Sequence, residues 1–186
     1  MDIKKDESWA RSVFVDNDEF LKTILAIPRK ILDNHEVDGL AQMVLHELGQ
    51  EKNLDLKRAY FMVSSPDFNH VRGVAGFCSQ ESSDSCQVMW QDPNLFHQKI
   101  QTSAFHENMK KFLQKEDFHR DGVVQSSKYI DDIKAILNIE SPSVYTWNLR
   151  NNNKGILIFE ESQKRLCTCH PEVLEHVTAL LGLCPL

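Results

Sequence analysis

The chain has 186 residues, 41% of them hydrophobic, which is enough for one full core in a single domain. Its 21 basic and 27 acidic residues leave a formal charge of -6, which offers no broad positive field to a phosphate backbone and excludes nucleic acid as the expected partner. The opening MDIKKDESWARS lacks the apolar core of a signal peptide, no run reaches the roughly 18 apolar residues of a membrane span, and five irregularly spaced cysteines do not make a secreted disulfide framework. A cytoplasmic protein with reduced thiols and no membrane contact is expected.

From Asp18 to Asp33, Phe20, Ile24, Ile27 and Ile31 recur at helical steps and predict an amphipathic helix that Pro28 bends or interrupts. Residues 1–35 thus read as an N-terminal arm and helix ahead of a main domain over 36–186. A second helix is predicted from Val37, Leu40, Ala41, Val44, Leu45 and Leu48, with Gly49 near its stop and Glu47, Gln50 and Glu51 toward water. KRAYFMVSS and HVRGVAGFC, separated by a turn at Ser65-Pro66-Asp67, predict a strand pair, and Gly73 and Gly76 mark a bulge in its second strand.

The middle of the chain predicts a polar loop at Ser79 to Ser85, a short strand at CQVMW, and a helix that begins at Asp92-Pro93-Asn94 and carries Leu95, Ile100, Phe105, Met109 and Phe112. DGVV predicts a further strand, and Ser126 and Ser127 cap a helix with Tyr129, Ile130, Ile133, Ile136 and Leu137 inward. SVYTWNL, the turn RNNNKG and ILIFE form a hairpin, and a last helix starts near Pro171 with Val173, Leu174, Val177, Leu180 and Leu181 as its apolar side.

Motifs of catalysis and metal binding fail on spacing. His46-Glu47 opens like a zinc-protease helix, but the second histidine would stand at position 50, which is glutamine. In Cys167-Thr-Cys169-His170 an extended backbone sends the two thiols to one face and the imidazole elsewhere, so three ligands do not converge, and structural zinc needs four. His97, His106 and His119 are too widely spaced to share one helical face, and no nucleophile elbow, phosphate loop or dinucleotide turn is present. The consecutive pairs Asp131-Asp132 and Glu160-Glu161 read as solvated surface.

The stretch VDGLAQMVLHELGQEKNLDLKRAYFMVSSPDFNHVRGVAGF resembles the opening of a GAF domain, and IKAILNIESPSVYTWNLRNNNKGILIFEE resembles its closing hairpin, with HPEVLEHVTALLGL at the place of the final helix. The resemblance spans about residues 36 to 183 and implies an α+β fold: a six-stranded or similar antiparallel sheet, its terminal helices on one face and a helical or loop lid on the other. The lid would be DPNLFHQKIQTSAFHENMKKFLQ. It further implies a sensory module without catalysis that holds a small ligand under that lid and dimerises through its terminal helices. Phe77, Trp90, Phe105, Tyr129 and Trp147 are then the candidate apolar walls of the ligand site, with Arg72 and His106 as its polar contacts. No cofactor is specified. The signature of cyclic-nucleotide-binding members is missing, and Cys169-His170 follows the hairpin where bilin-attaching members carry such a pair before it. The alternative on the same scaffold is a thiol-based redox sensor or small enzyme using Cys78, Cys86 or the Cys167 and Cys169 pair, which requires a thiol of lowered pKa.

Overall fold

The computed structural model describes residues 8–65, 70–81, 89–101, 105, 113–115, 137–162 and 171–184. These residues form helices α1 (Ser8–Asp33), α2 (Leu40–Gly49), α3 (Pro93–Gln101) and α4 (Pro171–Gly182). Their strands are β1 (Leu56–Ser65), β2 (His70–Cys78), β3 (Leu113–Lys115), β4 (Ser143–Asn148) and β5 (Lys154–Glu161). The strands make one antiparallel sheet in the order β3-β2-β1-β5-β4, so the architecture is α+β. The strand expected at 121–124 and most of the helix after Ser126 lie outside the described residues. Where a strand was expected through CQVMW, Met89 and Trp90 form a turn.

Alternation along the strands separates two cores. Ala59, Phe61 and Val63 of β1 join Ala75 and Phe77 of β2 and Leu157 and Phe159 of β5 beneath the helices. Tyr60, Met62, Val71, Ile156 and Ile158 point to the opposite face, where Leu137 and Ile139 cover them. The bulge predicted near the two glycines is present: Phe61 pairs with Ala75 and Met62 with Gly73, which leaves Val74 as the extra residue. The hairpin is present as well, closed by a 3-10 turn at Arg150–Asn152 in which Asn151 and Asn152 take left-handed backbone, a conformation asparagine tolerates.

Helix α1 runs through Pro28 without ending, held by Ile27 and Ile31, which are buried in the same core as α2. Every residue of α2 is buried, so its polar side chains must find partners inside the protein. Glu47 therefore does not face water as the helical pattern predicted. It is 5% exposed, accepts a 2.7 Å bond from the Trp90 indole N–H, and lies 3.5 Å from the Lys30 ammonium. Gln42 bonds both the N–H and the C=O of Gly76, serving that residue as a neighbouring strand would. His46 sits edge-on between Phe77 and Phe96, with both ring centroids at 5.2 Å.

The same demand for cover corrects the position of the lid's first half. Phe96 and Ile100, one turn apart on α3, bury into the helix-side core together with Met89. Helix α3 thus packs with α2, on the side of the terminal helices, and not across the sheet from them. Leu113–Lys115, expected next to the end of a helix, instead pair as a short strand with Val71 and its neighbours.

Candidate functional site

Of the seven residues named as a ligand site, the five that are described divide between the two faces. Phe77 is fully buried under α2, and Trp90 is half-buried with its indole on Glu47 and the Lys30 ammonium 5.2 Å from its ring centroid. Trp147 stacks on Phe61 in the helix-side core, ring centroids 5.5 Å apart. These three are packing residues of the first face. Phe105 alone of the described candidates lies on the second face, tilted against Tyr60 at 4.7 Å. Arg72 is exposed on β2, in register with Val63 on one side and Leu113 on the other. His106 and Tyr129 lie outside the described residues.

What the second face does gather is a polar group at one end of its apolar cluster. The pleat places Arg58, Tyr60 and Met62 of β1 on the same face as Ile156, Ile158 and Glu160 of β5, with Tyr60 opposite Ile158 and Arg58 opposite Glu160. The segment 137–139 crosses over them. Tyr60 donates its hydroxyl to the Leu137 carbonyl at 3.0 Å, and the Arg58 guanidinium donates to the Asn138 carbonyl next along. Asn138 holds left-handed backbone at φ 52, which turns its carbonyl-bearing segment into Ile139 and then into β4.

Glu160 is the unusual member. Its residue is 6% exposed, Oε1 takes a 3.1 Å ion pair from Lys57, and Oε2 is buried with no hydrogen-bond partner among the described residues. The solvated reading of the pair Glu160-Glu161 thus fails for its first member, because Glu160 shares its face with Ile156 and Ile158 while Glu161 falls on the other. Asp131 and Asp132 lie outside the described residues. Burial drives the Tyr60 hydroxyl far above its ordinary pKa, Arg58 opposes that shift, and the nearby Glu160 charge adds to it. The phenol therefore stays a donor at any physiological pH. Within this group the Tyr60 hydroxyl, the Arg58 guanidinium and Glu160 Oε1 are engaged by the protein itself, and Glu160 Oε2 alone has no donor among the described residues.

Thiol chemistry finds little support among the described cysteines. Cys184 is buried, its thiol donates to the Leu180 carbonyl at 3.6 Å, and burial pushes its pKa up to about 12, opposite to the direction a reactive thiol needs. Cys78 is buried at the end of β2. Cys86, Cys167, Cys169 and His170 lie outside the described residues. Among the described residues no three His, Cys, Asp or Glu side chains are grouped so as to hold a metal ion, and no helix is long and apolar enough to cross a membrane.

The faces of Tyr60 and Glu160 are written in the alternation of their strands. In a strand that alternates ILIFEE, the first glutamate must lie on the face of the two isoleucines, and Tyr60 occupies the matching position of KRAYFMV. Compared with family models, with curated proteins and with solved structures, the chain matches none.

Proposed function

We propose that this chain is a GAF-like regulatory module that receives a small molecule at the Arg58, Tyr60 and Glu160 end of the second face and passes its state on by contact, with no covalent chemistry of its own. The observation that carries this reading is the buried Glu160 Oε2, which has no partner among the described residues, since an unmet carboxylate oxygen costs about 1–3 kcal/mol or more and marks where a donor is wanted. The antiparallel sheet with α1 and α4 on one face supports the likeness to GAF domains at the level of architecture. Strand β1 supplies the physical link, because Tyr60 and Met62 touch the receiving face while Phe61 and Val63 touch the helices. On the far side, Leu21, Leu25 and Leu32 stand exposed on α1 at steps of four and seven, Leu25 at 77%, a stripe suited to an output partner.

Native mass spectrometry of the wild-type protein and of Glu160→Gln, each beside its denatured mass, tests the reading. A mass excess lost on denaturation, present in the wild type and reduced in the variant, is expected. Equal native and denatured masses for wild type prepared without stripping would refute it.

A further inference from the structure

Strand β4 is one border of the sheet: β5 pairs with it on one side and, among the described residues, nothing pairs with it on the other. An open border presents a row of backbone donors and acceptors to any passing strand, and proteins usually blunt it with lysine, proline, a bulge or brevity. β4 has none of these. Over SVYTWN it carries no charge and no proline, its register with β5 is unbroken, and Val144, Tyr145, Thr146 and Trp147 are all β-branched or aromatic.

Charge appears only past the two ends of the strand, and its signs are opposite. Glu140 is exposed before it, and Arg150 and Lys154 are exposed after it. None of the three makes an ion pair among the described residues. Such an edge is complementary to itself when reversed. Two copies of β4 run antiparallel about Tyr145 place each Ser143 opposite the other copy's Trp147, and bring each Glu140 to the same end of the ladder as the other's Arg150, twice by symmetry. Beside this edge, on the helix side, Leu183 is 58% exposed. It follows Gly182, whose α-carbon region abuts the Leu149 and Trp147 side chains, so an apolar margin extends the contact beyond the backbone ladder.

We infer that a second copy of this chain adds to the β4 edge in antiparallel register about Tyr145, so that one sheet runs through both copies. The contact uses the sheet border and leaves the α1 stripe uncovered, in contrast to the expectation that the terminal helices pair.

Sedimentation equilibrium of the full chain tests this with Glu140→Arg, Arg150→Glu, the double exchange, and Leu25→Glu as the variant of the other surface. All three positions are exposed, and circular dichroism checks that each variant is folded. The wild type is expected to self-associate, each single exchange to weaken association about tenfold by bringing like charges together at both ends, and the double exchange to recover it. Leu25→Glu is expected to leave association unchanged. A wild type that stays monomeric at roughly millimolar concentration, a dimer indifferent to both charge exchanges, or one dissociated by Leu25→Glu overturns the proposal. Failure of the double exchange to restore association overturns the antiparallel register.

Discussion

The indole of Trp147 lies flat across the α-carbon of Gly155, its register partner on the neighbouring strand, so closely that a β-carbon there would stand 2.4 Å from the ring. That vacancy lets Trp147 reach past β5 and stack on Phe61 of the central strand. Gly155 does not take left-handed backbone, so glycine is required by space and not by conformation. Gly155→Ala would stabilise an ordinary strand, yet here it must displace the indole, and a loss of about 1–3 kcal/mol is expected from the urea midpoint. A neutral or stabilising effect would show that the indole is free to move.

Gly39 presents the opposite case, in which conformation and space both forbid a side chain. Its φ is 74°, and a β-carbon would fall 2.4 Å from Cε1 of His97. Gly39→Ala is expected to cost about 2 kcal/mol, and about 1 kcal/mol when made in a His97→Ala background, because removing the ring relieves the clash and not the backbone strain. Equal losses in the two backgrounds, measured by denaturant unfolding, would mean that His97 yields freely.

Glu47 ties α1, α2 and the Trp90 turn together. Glu47→Ala strands the Trp90 indole N–H and removes the buried counter-charge of Lys30, for an expected loss of about 3 kcal/mol. Glu47→Gln keeps an acceptor for the indole and should lose less. Urea unfolding of both variants checks the order, and a Glu47→Ala loss below about 1 kcal/mol would contradict the assignment of this contact as a structural tie.

Burial raises the Cys184 thiol from 9.0 to about 12. Above pH 9 the unfolded chain gives up this proton while the folded chain keeps it, so the contribution is complete below pH 9 and is lost as pH rises toward 12. The difference in stability between wild type and Cys184→Ala should therefore shrink across that window, by up to about 1.4 kcal/mol per pH unit. Paired urea titrations at pH 8 and pH 10 measure it, and a constant difference would contradict burial of the thiol. Native-state alkylation of Cys184 at pH 8 should likewise proceed only as fast as the protein unfolds.

Much of this fold is legible in the residues because the elements are strongly periodic. The steps of Phe20, Ile24, Ile27 and Ile31, the stripe of α2, and the asparagine turn between SVYTWNL and ILIFE all correspond to elements that form. Faces are harder to read than elements. Phe77 and Trp147 have the size of pocket walls, yet strand pairing sets them toward the helices, and that register depends on the bulge at Val74 and on partners far along the chain. Glu47 and Glu160 defeat the rule that charges face water for a related reason. Each sits on an element buried on more sides than one apolar stripe would indicate, and the lysines that compensate them come from other elements. The position of α3 follows likewise from α2, whose apolar residues span more than half its circumference and require cover on the outer side.

The receiving role of the second face is tested most directly by methyl NMR spectra of the protein as isolated and of the same preparation after denaturation and refolding. Resonances of Met62, Ile156 and Ile158 are expected to move between the two samples while those of Leu45 and Leu48, deep in the helix-side core, stay in place. Superimposable spectra would contradict that role, and would leave the buried Glu160 carboxylate as a feature of packing alone.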